Sequence, residues 1–221
     1  MAQVFSPRAN TVARVSILLV LLAITGLLVT LDALHRFAYA SEVDIPREQP
    51  IPFSHKHHVN MGIDCRYCHT SAEESPFAGI PPTKTCMNCH AMVWSEAPML
   101  EPVRESFRSG EPLQWNRVHD LPQFVYFDHS IHLSKGIGCT TCHGKVGEMP
   151  LVKKENSLYM GWCLDCHREP EKFVRPREEV FNPDYRAPPP AEQLVMGEKL
   201  VKEYKIDKDN HRMLNCALCH R

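Results

Sequence analysis

The chain has 221 residues, 43% of them hydrophobic, with a formal net charge of −1, 18 prolines and ten cysteines. A chain this apolar and this close to neutral collapses rather than staying disordered, and it shows no basic patch of the kind a nucleic acid requires. The prolines exclude long regular elements over most of its length.

In chain order, residues 1–14 carry Arg8 and Arg14 and no acidic side chain. Residues 15–34 follow as an apolar stretch, uncharged from Ile17 to Leu31, about the length a helix needs to cross a bilayer core. By the positive-inside rule, 1–14 would stay in the cytoplasm, 15–34 would anchor the chain, and everything beyond would lie on the outer, periplasmic side of a bacterial cytoplasmic membrane. A second reading is a cleaved signal peptide, because Ala38-Tyr39-Ala40 resembles an A-x-A processing site. The apolar run is longer than a usual signal core, which favours a retained anchor.

After a linker at 35–52, the cysteines occur as five C-x-x-C pairs, each followed at once by histidine. They are Cys65/Cys68/His69, Cys86/Cys89/His90, Cys139/Cys142/His143, Cys163/Cys166/His167 and Cys216/Cys219/His220, with no cysteine left over. C-x-x-C-H is the attachment motif of c-type haem: the two thiols form thioether bonds to the porphyrin and the histidine supplies the proximal iron ligand. A disulfide framework would not place a histidine after every second cysteine. Zinc sites would need the pairs to combine in twos, and five is odd. The motifs therefore imply five haem c groups. About 36 residues per group after residue 40 cannot build a conventional apolar core, so the macrocycles would serve as both core and staples. The expected fold is mainly helical and irregular, haem-cored, with one N-terminal transmembrane helix, short helices on the motifs and little or no sheet.

The first cysteines are spaced 21, 53, 24 and 53 residues apart, and a shift of 74 superimposes 53–69 on 127–143 with eight of 17 positions identical. Phe53-x-His55-x-x-His58 falls on Phe127-x-His129-x-x-His132, and Gly62-Ile63 on Gly136-Ile137. This duplication divides the chain into a first two-site unit (53–126), a second two-site unit with a Pro- and charge-rich connector (127–190), and a C-terminal segment (191–221) with the fifth site. Within that segment, apolar spacing predicts a helix over 191–204, weakened by Gly197.

Six-coordinate haem iron needs a distal ligand as well. His55, His58, His129 and His132 are the leading candidates, because the duplicated element carries them along with the attachment motifs. Their spacing of three places two imidazoles on one side of a turn, where each can reach a different macrocycle. His119 is the candidate for the remaining ligand, against Met149, Met160, Met213, His57 and His211 as alternatives. A thioether ligand in place of an imidazole would raise the potential. Five haems also change the charge: with their carboxylates ionised, the formal value falls to about −6 when all irons are ferric and about −11 when ferrous.

Several segments carry a family resemblance: Phe53-Ser54-His55 through Cys68-His69, Gly79-Ile80-Pro81-Pro82 before Cys86, Arg117-Val118-His119-Asp120-Leu121-Pro122, and Ser157 through Cys163. Together they resemble the membrane-anchored pentahaem cytochrome subunit of alternative complex III. The Phe-x-His-x-x-His element alone is shared with class III-type multihaem cytochromes. The resemblance implies a non-catalytic electron wire in a quinol-oxidising respiratory or photosynthetic complex. Its partners would be an iron–sulfur subunit and polytopic quinone-binding membrane subunits, and its acceptor a monohaem cytochrome or small copper protein. The competing readings are a stand-alone membrane quinol dehydrogenase and a multihaem reductase, which needs an iron with an open position.

Overall fold

A computed structural model describes residues 6–208 and 212–220. They fall into two compact units, one ending at Val43 and one beginning at Asp44.

In the first unit, α1 (Pro7–Arg36) is a 30-residue helix, about 45 Å long at its usual rise. Pro7 occupies its first turn, where a missing N–H costs no hydrogen bond. Arg8–Leu34 is long and apolar enough to cross a membrane. Thr25 and Thr30 donate their hydroxyls to the carbonyls of Leu21 and Gly26, at 2.9 and 2.6 Å, which satisfies these polar groups without water. The short α2 (Ala38–Ser41) contains the Ala38-Tyr39-Ala40 triplet.

The second unit carries α3 (His55–Asn60), α4 (Cys65–Cys68), α5 (Thr83–His90), α6 (Glu101–Ser109), α7 (His129–Ser134), α8 (Cys139–His143), α9 (Met160–Arg168), α10 (Pro190–Glu203) and α11 (Cys216–Cys219). Loops and 3-10 turns join them, and among the described residues no strand forms; one isolated antiparallel bridge joins Val125 to His220. The fold is thus helical and irregular, as the proline content and motif spacing predict. The cysteines of every motif lie on a helix, and two of those five helices carry a side-chain cap: Asp64 accepts from the Arg66 N–H before α4, and Asn215 from the Ala217 N–H before α11.

The apolar core is small and divided. Ile51, Leu100 and Val103 form one cluster with Cys86 packed against it, and Ile137, Val174, Leu200, Val201 and Tyr204 form another touched by Cys142 and Cys166. The expected C-terminal helix is present as α10, and Gly197, which weakens its helical propensity, is what allows its packing. A Cβ there would collide with the backbone carbonyl of Glu171, in the 3-10 turn Pro170–Lys172 that α10 packs against. Gln193 fixes that approach by donating to the carbonyls of Glu171 and Val174, at 3.0 and 2.9 Å.

Candidate haem sites

The duplicated element has the same geometry in both copies. Ser54 caps α3 by accepting from the His57 N–H, and Asp128 caps α7 by accepting from the Ser130 N–H. Phe53 meets the ring of His55 edge-on at 4.9 Å and stacks on His58 at 4.5 Å; Phe127 meets His129 edge-on at 4.8 Å and stacks on His132 at 4.7 Å. The phenylalanine is therefore the wedge that holds two imidazoles apart, which is why it travels with them in the repeat.

Each of these four histidines faces the histidine of an attachment motif. Ring centres are 6.4 Å apart for His55 and His69, 6.2 Å for His58 and His90, 6.3 Å for His129 and His143, and 6.1 Å for His132 and His167. With a metal–nitrogen bond of about 2.0–2.1 Å, two imidazoles on opposite sides of one metal ion have ring centres about 6.3 Å apart. The four separations fit one iron between each pair. Among the described residues, no three or more His, Cys, Asp or Glu side chains gather as a metal-binding cluster, so the arrangement is one of facing pairs.

The other ring nitrogen is held in six of these eight histidines, whereas Nδ1 of His55 is buried without a hydrogen-bond partner. Nδ1 of His58 lies 2.8 Å from the Ser54 carbonyl, that of His69 2.7 Å from Gly79, and that of His90 3.0 Å from Val93. Nδ1 of His129 lies 2.7 Å from the Pro76 carbonyl, that of His132 2.6 Å from Asp128, and that of His167 2.9 Å from Met213. An Nδ1–H donated to a carbonyl fixes the tautomer with its lone pair on Nε2, the nitrogen offered to a metal. At three of the paired rings burial favours the neutral form: His55 is lowered to about 4, chiefly by burial and then by His69, and His143 to about 3, by burial and then by His119 and His129. His132 is lowered by burial too. Only the neutral imidazole coordinates.

Elsewhere the structure departs from expectation. His119 does not face the fifth motif. It lies against His143, ring centres 4.2 Å apart at 75°, too close for one iron to sit between them, and its Nε2 is buried without a hydrogen-bond partner. Burial and the neighbouring Lys154 lower its pKa to about 4. The physical reason is tertiary: His119 follows a loop held to the start of the unit, where Asn116 donates to the Glu48 carbonyl at 2.6 Å and Arg47 to that of Arg117 at 2.7 Å. The ring stacked on His220 is instead that of Phe124, at 5.9 Å. Of the alternatives, His57 is exposed, Met149 is 6% exposed in the interior, and Met160 is 62% exposed at the start of α9. Met213 meets His167 through its carbonyl. His211 lies outside the described residues.

None of the ten cysteines is in a disulfide, and their contacts run in a sequence. Cys68 is near Cys86 and Cys89, Cys65 lies beside Cys139, Cys142 is near Cys163, and Cys163 is near Cys219. The motifs therefore follow one another in space in the order second, first, third, fourth, fifth. Burial raises the thiols of Cys142 and Cys166, to about 11 and about 12.

One residue beside the third motif escapes sequence reasoning. Arg175, only 7% exposed, donates from Nη2 to Thr141 Oγ1 at 3.0 Å, while its Nε and Nη1 are buried without partners. The sequence signal is indirect: Gly138 stands in the repeat where the first unit has Asp64.

Comparison with known proteins adds family information for the C-terminal half. Residues 125–221 match the family model for cytochrome c7 and related cytochrome c. Over 99 residues the chain is 40% identical to a protein of Nitratidesulfovibrio vulgaris named as the multiheme cytochrome c subunit of menaquinone reductase, an alignment covering 44% of this chain and 46% of that protein. The match thus spans about half the length of the relative. Within the second unit, residues 125–221 are therefore similar to cytochrome c7 and related cytochromes c, and they include the facing pairs His129/His143 and His132/His167.

Proposed function

We propose that the chain binds five haem c groups, one at each C-x-x-C-H motif, and relays electrons through a membrane-bound, quinone-linked complex. When bound, the haems supply reversible one-electron chemistry. The chain's own residues set where that chemistry happens. Cys65/Cys68, Cys86/Cys89, Cys139/Cys142, Cys163/Cys166 and Cys216/Cys219 attach the macrocycles, with His69, His90, His143, His167 and His220 as proximal ligands. His55, His58, His129 and His132 are the distal ligands of the first, second, third and fourth sites. The observation that carries this reading is the four imidazole pairs at 6.1–6.4 Å.

The order of the cysteine contacts supports a wire running second, first, third, fourth, fifth, with electrons entering or leaving at the outer two sites. Residues 15–34 anchor it, with the second unit on the periplasmic side. An iron–sulfur subunit and polytopic quinone-binding subunits are its partners within the complex, and a monohaem cytochrome or copper protein its soluble partner. The sequence resemblance to the alternative complex III subunit favours quinol oxidation; the name of the relative favours the opposite direction, menaquinone reduction.

Intact mass of the purified full-length protein tests the haem count: five covalent haems are expected, and fewer would overturn the assignment. Potentiometric titration against the menaquinone couple tests direction. Potentials mostly above that couple support quinol oxidation, and potentials mostly below it support menaquinone reduction.

A further inference from the structure

The first and third sites are duplicates, yet their electrostatic surroundings differ in kind. At the first, Asp64 caps α4 and pairs with Arg66 at 2.8 Å; both side chains are about half exposed, so their charges cancel and water screens the rest. At the third, Gly138 and Thr140 occupy the corresponding positions, and neither carboxylate nor guanidinium is present. In their place Arg175 enters from the connector. Its guanidinium lies where a Cβ of Gly138 would be, so no aspartate fits there while Arg175 is in position. It sits over the ring of Tyr185 at 4.3 Å and in electrostatic reach of Cys139 and Cys142. Among the described residues no carboxylate forms an ion pair with it; Glu179, whose charge acts on it from nearby, accepts a 2.6 Å hydrogen bond from Asn182. Arginine does not deprotonate in proteins, so the third site carries a permanent, buried positive charge where the first carries an exposed, mutually cancelling pair.

We infer that Arg175 is a positioning charge that holds the third haem at a higher potential than its duplicate, the first. A fixed cation disfavours the oxidised, more positive state of a nearby redox centre. Because Cys65 lies beside Cys139, and His55 and His69 lie near His143, the two sites are neighbours, and the asymmetry makes the step between them downhill toward the third. In that step one electron leaves the first site and reduces the third, with no bond broken and no proton transferred. The inference rests on reading both motifs as haem attachment sites.

The test is redox potentiometry of the full-length holoprotein with Arg175→Gln and Arg175→Lys, after intact mass has counted the haems in each. At an effective dielectric of about 20, loss of one unit charge beside the site shifts the oxidised-to-reduced ratio of one component roughly tenfold. For a one-electron couple this reads as about 59 mV downward. The lysine variant keeps the charge and is expected to restore most of the shift. Five haems with an unmoved glutamine titration, or equal shifts in both variants, overturn the inference and leave the haem assignment intact. Fewer than five haems in the unsubstituted protein overturn the assignment itself. If the glutamine variant does not load haem, Arg175→Met replaces it: this variant keeps the aliphatic length without the charge, so with five haems bound one component is expected to move downward, and an unmoved curve overturns the inference.

Discussion

The facing imidazole pairs differ in one respect that a spectrum reads directly. Their planes are nearly parallel at the first and third sites, 3° and 5°, inclined by 30° at the fourth, and by 69° at the second. An imidazole bound to haem iron splits the pair of iron orbitals, dxz and dyz, whose lobes rise out of the porphyrin plane, along an axis set by its own plane. Two such perturbations add in proportion to the cosine of the angle between the planes. The first and third sites then keep essentially the full splitting, the fourth most of it, and the second only about a third, because axial ligand orientation is one of the protein's levers on haem iron. Electron paramagnetic resonance of the fully oxidised protein is expected to show rhombic low-spin signals together with one signal of large maximum g value, from the second site. His58→Ala removes the twisted imidazole, so that signal should disappear while the rhombic ones stay. A large-g signal that survives His58→Ala, or its absence from the unsubstituted spectrum, would refute the assignment of His58 to His90.

Other measurements probe the frame that holds the ligands. Gly197→Ala drives a methyl into the Glu171 carbonyl and is expected to cost about 1–3 kcal/mol net, the overpacking outweighing the roughly 1 kcal/mol gain in helix propensity; chemical denaturation checks it, and a more stable variant would contradict the packing described. Phe127→Ala loses two ring contacts to histidine, about 1–3 kcal/mol together, and should lower the thermal midpoint with the haem count unchanged. Acid should destabilise the protein in a defined window. His119, which holds no iron in this reading, protonates near pH 4 when folded but near 6.5 when unfolded. Between those values the unfolded chain binds more protons, so stability falls as pH drops from 6.5 to about 4, by up to about 1.4 kcal/mol per unit. Denaturation midpoints that rise between pH 7 and pH 5 would contradict this.

Much of this was legible in the chain alone, for reasons that lie in local chemistry. C-x-x-C-H is a contiguous motif, so the five candidate attachment sites follow from spacing without any fold. The duplication singled out His55, His58, His129 and His132 because it copied Phe53 with them, and the ring contacts show why the three travel together. Apolar length marked α1, and proline frequency foretold short helices. Tertiary structure decided what depends on segments far apart in sequence. His119 was drawn to His143 by the loop that Glu48 and Arg47 hold, a contact no periodicity encodes. Gly197 reads as a helix weakener until the carbonyl of Glu171 is placed against it. The order of the five motifs in space differs from their order in the chain because cysteine contacts such as Cys65 with Cys139 join residues one repeat apart. Composition likewise registered a net charge of −1, whereas the buried, unpaired cation beside the third motif exists only once folding brings Arg175 against Gly138 and removes it from water.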